Sequence, residues 1–189
     1  EEFAGECFMP LAYGGGVRTI DQASRIFGLG VEKICLQSAA LTDLSLVTRL
    51  AERFGSQSVV VSVDVKRNWR GKPQLYAAAK QKSIAMLWLE FAKRAAEVGA
   101  GEILLNSVHY DGTMQGPDLE LIRQASSALS VPLIATGGIG SLADIKAAVN
   151  VGASAVAAGA FFVFHGPHRA VLITYPRYEE LEALLEVKS

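Results

Sequence analysis

Asp64 is the residue with the clearest capacity for proton transfer. It lies in Ser58-Val-Val-Val-Ser-Val-Asp-Val65, the most β-branched run of the chain, which reads as a buried parallel strand. A carboxylate near the C-terminal end of such a strand is placed to act as a general acid or base. An Asp that merely caps the turn after a strand would look the same in sequence. The second chemistry is anion binding. Pro132-Leu-Ile-Ala-Thr-Gly-Gly-Ile-Gly-Ser141 is a short apolar strand ending in Gly137 and Gly138, and Ser141, with Asp144 as its capping-box partner, opens a helix. Adjacent glycines admit a ligand to the backbone, and the helix start offers free N–H groups and a positive dipole end, which suits phosphate. The glycines fall as G-G-x-G, with no acidic residue closing the following strand, so this is not the dinucleotide fingerprint. A tight βα turn that needs glycine only for its geometry is the plain alternative.

The turn is used twice. The segment from Pro10 aligns without a gap on the segment from Pro132. Pro10, Leu11, Gly15, Gly16 and Gly30 fall on Pro132, Leu133, Gly137, Gly138 and Gly152, and Thr19 meets Ser141. A strand, turn, cap and helix that recur together indicate a duplicated βαβ architecture, and the spacing is too long for a solenoid repeat.

Positioning these residues requires alternating strands and helices. Phe8–Tyr13 reads as a strand ending at Gly14-Gly15-Gly16, and Thr19, with Gln22, caps a helix running to about Gly30. Glu32–Leu36 is the next strand, and Thr42 is expected to cap a helix that Gly55 closes. After the Asp64 strand, a loop or short hairpin over 68–76 precedes a helix from about Ser83 to Val98. Glu102–Leu105 is a strand, Asp118–Leu129 a helix, and Leu133 opens the strand of the glycine turn. Ala155–Gly159 reads as a second buried strand, and the last helix runs from about Arg177 to Val187. Strands alternating with helices call for a parallel sheet, doubly wound or a (β/α)8 barrel. Glycine turns after strands in both halves favour the barrel, whose active site is built by the loops at the strand C-termini. About six of eight βα units are recognisable, as one incomplete domain over 1–189. The opening Glu1-Glu-Phe-Ala-Gly-Glu6 lacks an initiator Met and reads as the end of a helix under way, so two βα units are expected upstream.

The composition excludes several classes. A net charge of −1 provides no basic field for nucleic acid and no polybasic membrane patch. Cys7 and Cys35 are too few for a disulfide framework, which points to a reducing, cytoplasmic setting. No segment approaches the ~20 apolar residues of a membrane span, and none looks like a signal peptide. His109, His165 and His168 match no zinc spacing, His165-Gly-Pro-His168 reads as loop, and no metal is expected. Trp69 and Trp88 read as packing residues.

Over nearly its whole length the chain resembles the cyclase subunit of imidazole glycerol phosphate synthase. The motifs are Gly14-Gly-Gly-Val-Arg-Thr19, Glu32-Lys-Ile34, Phe54-Gly-Ser-Gln57, Asp64-Val-Lys66, Gly99-Ala-Gly-Glu-Ile-Leu-Leu105, Asp111-Gly-Thr113 and Thr136-Gly-Gly138. Within the family it looks closer to paralogues that place acetamidino groups on nucleotide sugars for surface polysaccharides such as lipopolysaccharide. Phe162–Pro176 and the Asn106-Ser107 pair carry that likeness. The resemblance implies a phosphate-binding (β/α)8 barrel of histidine biosynthesis, a lyase that takes ammonia from a glutamine amidotransferase partner and needs no cofactor. It makes Asp64 one of two catalytic aspartates. The other belongs to a strand before Glu1, so the chain by itself is expected to be inactive. One phosphate falls to Gly16, Gln37 and Ser38, the other to Asp111, Gly112, Gly138, Ala158 and Gly159. Gln37, Ser38 and Gly159 stand where the cyclase usually has Asn, Thr and Ser, and His109 where it has Asp.

Lys33 and Glu102 match charged residues that gate ammonia entry at the opposite face, with Glu32 and Gln57 at the partner interface. A buried Lys–Glu pair that plugs the barrel floor is the structural alternative. No Cys–His arrangement here suits glutamine hydrolysis, so a partner must supply the ammonia. The segment from Tyr76 to Ala85 departs from the Gly- and Thr-rich loop that helps relatives enclose substrate. A non-catalytic scaffold that binds the glutaminase or a sugar phosphate is therefore a further reading. Asp64-Val-Lys66 and Gly99-Ala-Gly-Glu-Ile argue against the isomerase cousin of the same pathway.

Overall fold

The structure, a computed structural model, describes residues 9–166 and 168–185. Phe8 and Val187, expected at the edges of the first strand and the last helix, lie outside these residues. The described chain divides into two compact units. The first runs to Leu104 and takes in Leu129–Pro132; the second comprises Leu105–Ala128 and the chain from Leu133 onward.

In the first unit, β1 (Ala12–Gly14) leads through the glycine turn into α1 (Ile20–Phe27). The Thr19 side chain accepts from the Gln22 amide at 3.2 Å, while the Gln22 side chain takes the Arg18 amide at 2.8 Å. The capping box is thus present with its return bond shifted by one residue. β2 (Lys33–Leu36) pairs parallel with β1, Gly14 opposite Cys35. A short helix, α2 (Ser38–Thr42), comes next, and α3 (Ser45–Phe54) buries Leu46, Val47 and Leu50 on one face. Thr42 is not the cap of α3. Its hydroxyl donates to the Ser38 carbonyl within α2, and Asp43 takes the Ser45 amide and hydroxyl instead. Gly55 closes α3 as expected, its N–H donating to the Ala51 carbonyl. The Phe27 and Phe54 rings, with centroids 4.5 Å apart, tie α1 to α3.

β3 (Val59–Arg67) is buried continuously from Val59 to Val65, on both faces, as its unbroken apolar run requires. It pairs parallel with β2, Ile34 opposite Val59, and continues into an antiparallel hairpin with β4 (Pro73–Ala77). Asn68 accepts the Arg70 and Lys72 amides at the turn. Trp69 sits on this tip, 86 % exposed, with the Arg70 guanidinium over its ring, so it is not a packing residue. β5 (Lys82–Ser83) then pairs with β4. That pairing delays the next helix, α4 (Trp88–Glu97), by five residues from its expected start at Ser83. Trp88, Phe91, Ala92 and Ala95 recur at helical spacing on its buried face. β6 (Glu102–Ser107) begins in this unit, with the Gly101 amide donating to the Val59 carbonyl at 2.9 Å.

In the second unit the end of β6 leads to α5 (Leu119–Ser126), capped by Asp118, whose carboxylate takes the Leu121 amide. β7 (Leu133–Thr136) ends at the second glycine turn, and α6 (Leu142–Asn150) follows Ser141, which accepts the Asp144 amide. β8 (Ala155–Ala157) pairs parallel with β7. It is exposed to half-buried rather than buried. Among the described residues its sheet partner is β7 alone, so it forms an edge. A one-turn helix, α7 (Ala160–Val163), a hairpin of β9 (Phe164–His165) and β10 (Ala170–Val171), and α8 (Tyr178–Leu185) complete the unit.

Both copies of the repeat therefore fold alike, as strand, glycine turn, hydroxyl cap and helix. Among the described residues the parallel strands β1, β2, β3, β6, β7 and β8 are each followed by a helix, the α/β organisation of a (β/α)8 barrel present in part.

Candidate active site

Asp64 is buried, 7 % exposed, in the second half of β3. Ser62, two residues earlier on the same face of the strand, donates its hydroxyl to Asp64 Oδ1 at 3.1 Å. Gln37 Nε2 donates to Oδ2 at 3.0 Å and to the Tyr76 carbonyl at 3.1 Å. The Ser38 hydroxyl in turn donates to Gln37 Oε1 at 2.9 Å. Each carboxylate oxygen thus accepts from a neutral donor, which orients the group. Gln37 and Ser38, expected at a phosphate, and Asp64, expected at the chemistry, form one bonded chain. Spacing two residues apart on a strand made Ser62 readable from sequence; Tyr76 carries no such local signal.

Cys35, on β2, registers the same environment. Burial, then the Asp64 charge, pushes its thiol up from 9.0 to about 11, against a lowering backbone hydrogen bond from Ser62. The folded chain therefore keeps this proton after the unfolded chain begins to lose it. The associated stability is complete below pH 9 and is lost as pH rises through about 11. In a Cys7→Ser background, Cys35 is expected to react with iodoacetamide at pH 8 about 100-fold more slowly than an ordinary thiol, since its thiolate fraction falls by that factor. Asp64→Asn should speed the reaction by removing the second cause. Mass spectrometry of the labelling time course reads both; labelling at the free-cysteine rate would contradict this packing.

Parallel register assembles the remaining residues of the first unit at two ends of its strands. Gly16 follows β1 and Gln37–Ser38 follow β2, at the C-terminal ends of adjacent strands. Gly16 has φ +70°, and a Cβ there would enter open space, so backbone conformation alone requires the glycine. At the other end stand Lys33, the first residue of β2, and Glu102, the first of β6, which form an ion pair with side chains 36 % and 19 % exposed. Glu32 is exposed beside Lys33, and Gln57, also exposed, lies in the 3-10 turn before β3, its amide to the Phe54 carbonyl at 3.4 Å.

The second unit treats its glycine turn differently. Gly138 has φ +91°, and a Cβ there would lie 2.1 Å from the Gly116 carbonyl oxygen; the Gly116 amide donates to the Gly138 carbonyl at 2.8 Å. The turn is therefore packed against the loop that carries Asp111 and Gly112. Asp111 donates its amide to the Ser107 carbonyl at 3.0 Å, and both Asp111 and Gly112 are exposed. Thr136 pairs with Ala157, so Gly138 and the Ala158-Gly159 pair follow adjacent strand ends. Arg169, on the β9–β10 turn, donates to the Gly112 carbonyl and lies over the Phe164 ring at 5.0 Å. That guanidinium was missed in the sequence because 57 residues separate it from Gly112.

His109 packs edge-on to Tyr110, and His165 lies in β9 rather than in a loop. Among the described residues no group of three or more His, Cys, Asp or Glu side chains could hold a metal, and no helix is long and apolar enough to cross a membrane.

The model of the family described as histidine biosynthesis protein matches residues 1–167. A candidate imidazole glycerol phosphate synthase subunit from Pseudomonas aeruginosa, hisF2, is 48% identical over 182 residues, covering 96% of this chain and 72% of that protein. A candidate HisF subunit from Leptospira interrogans is 44% identical over 188 residues, covering 97% of this chain and 73% of that protein. The imidazole glycerol phosphate synthase subunit HisF of Streptomyces griseus is 43% identical over 161 residues, covering 85% of this chain and 64% of that protein. By these matches and by its fold, the chain belongs to the histidine biosynthesis protein family, in its HisF-type group of imidazole glycerol phosphate synthase cyclase subunits.

Proposed function

We propose that the protein is an ammonia-using synthase of the imidazole glycerol phosphate type, acting in the cytoplasm with a glutamine amidotransferase partner. The observation that carries the reading is the bonded chain from Ser38 through Gln37 to Asp64. A residue assigned to substrate phosphate there holds the carboxylate assigned to proton transfer. Asp64 moves protons while ammonia attacks a phosphoribulosyl intermediate, the ring closes and a carboxamide ribotide leaves. Gly16, Gln37 and Ser38 hold one phosphate. Asp111, Gly112, Gly138, Ala158 and Gly159 hold the other, through backbone N–H groups at glycine turns. The Lys33–Glu102 pair gates ammonia, and Glu32 and Gln57 lie at the partner interface. Both units belong to one barrel domain on this reading.

A second reading, amidination of an acetamido group on a nucleotide sugar, is favoured by Arg169. It comes from the segment that carries the likeness to those paralogues, and its guanidinium reaches the Gly112 carbonyl. The deciding experiment supplies the full-length protein with the cyclase intermediate and an ammonium salt, and follows release of the aminoimidazole carboxamide ribotide by absorbance. Release at a rate near that of an intact histidine-pathway cyclase supports the first reading. No release, with the control enzyme active, transfers the assignment to the second.

A further inference from the structure

The second unit carries few cations. Its Lys and Arg residues up to Leu185 are Arg123, Lys146, Arg169 and Arg177. Arg123 pairs with Glu120, Arg177 pairs with Glu180, and Lys146 lies within α6. Arg169 stands on the β9–β10 turn and makes no ion pair among the described residues. Its backbone is left-handed, with φ +51°, a conformation that glycine or asparagine adopts at less cost. Strain of this kind persists where surrounding contacts hold the residue in place. The Arg169 amide donates to the Gly166 carbonyl at 3.1 Å, and the guanidinium lies over the Phe164 ring and donates to the Gly112 carbonyl. The Gly112–Thr113 peptide is thereby held from both sides, because the Thr113 N–H donates to the Tyr110 carbonyl at 3.0 Å.

The backbone that Arg169 reaches is open to a ligand. A Cβ at Gly112 would meet nothing within 4 Å, and the same holds at Gly159. Asp111, Gly112, Gly138, Ala158 and Gly159 bring backbone N–H groups and one carboxylate to the candidate phosphate, and no cation. A phosphate dianion beside the exposed Asp111 carboxylate meets like charge, which backbone dipoles offset only in part. A guanidinium has five N–H donors, and among the described residues the Arg169 side chain spends one, on Gly112. Its planar fork matches the oxygens of a phosphate. We infer that Arg169 is the cation of the second phosphate site, binding the phosphate held at Gly112 and Gly159 while it latches the 111–113 loop. The inference rests on the proposed function only for placing a phosphate at that loop. Arg169 lies past residue 167, where the match to the family ends.

Amide NMR of the full-length protein titrated with inorganic phosphate tests this. Phosphate should shift the Gly112 and Gly159 resonances of the wild type, and Arg169→Gln should need about ten-fold more phosphate for the same shift. Glutamine keeps an NH2 donor for the Gly112 carbonyl and lacks the charge, so a residue that only latches the loop would leave the affinity unchanged. Arg169→Lys keeps the charge without the planar fork and should lose about three-fold. The Gly16 resonance, at the other candidate phosphate, should respond alike in all three proteins. Unchanged affinity at Gly112 in Arg169→Gln, or no shift at Gly112 in the wild type, would overturn the assignment. In ammonium-dependent turnover, Arg169→Gln should raise KM about ten-fold with kcat within about three-fold. Turnover with KM unmoved by that substitution removes the role of Arg169 and leaves the synthase. Weakened phosphate binding in a protein without turnover removes the synthase activity and leaves Arg169 at a phosphate.

Discussion

Asp64→Asn is expected to lower kcat for ammonium-dependent turnover by about 1,000-fold while KM for the phosphorylated substrate stays within roughly three-fold. The substitution keeps shape and removes charge. The amide oxygen it introduces can still accept the Ser62 hydroxyl, and a reoriented Gln37 amide can accept from the new NH2 group and donate to the Ser38 hydroxyl, giving up its bond to the Tyr76 carbonyl. What disappears is the group able to take and return a proton. Steady-state kinetics at saturating ammonium separate the two parameters, and circular dichroism confirms the fold. A variant with undiminished kcat would return Asp64 to a structural role as an oriented carboxylate at the end of a strand. A raised KM with kcat intact would place it in binding instead.

Gly138→Ala carries the largest expected effect on stability. The position combines a left-handed φ of +91° with a backbone carbonyl 2.1 Å from where the methyl would sit. Backbone cannot yield as a flexible side chain can, so strain and overpacking add to about 3 kcal/mol, or a Tm drop of about 6–12 °C at this chain length. Gly16→Ala at the aligned position of the first repeat should cost only about 1 kcal/mol, because the conformation is strained but the space is open. Differential scanning calorimetry of the two variants side by side reads the contrast. Equal losses would mean that the second glycine turn is not packed on the Gly116 loop. The comparison also sorts the two purposes of the motif. At Gly138 glycine serves close packing between two loops, whereas at Gly16 it serves only the left-handed backbone conformation.

The elements that sequence reading captured are those whose hydrogen bonds close within a few residues. Thr19 and Ser141 bond amides three residues on, and Gly55 ends its helix by a bond to Ala51. The long β-branched run of β3 can satisfy burial only between other strands and under helices. Thr42 misled because the chain offered a rival a residue away: Asp43 outcompetes a threonine for the Ser45 amide, charge strengthening its bond. The start of α4 was misplaced because helix periodicity from Ser83 is real, but β5 pairing with β4 claims those backbone groups first. Trp69 was read as packing from its size, while its place on a hairpin tip leaves it in solvent.

The sequence by itself determined the βα alternation, the duplicated glycine turn, the candidate carboxylate and the family likeness, since each is encoded in local pattern or in motif order. The tertiary structure decided what meets what. It joined Gln37 to Asp64 across 27 residues and to the Tyr76 carbonyl across 39, set Arg169 on Gly112 across 57, and paired Lys33 with Glu102 across 69. Such contacts depend on parallel register and on which faces of packed strands and helices are covered. No short stretch of chain contains that information, because the bonds form only after the loops between them have closed.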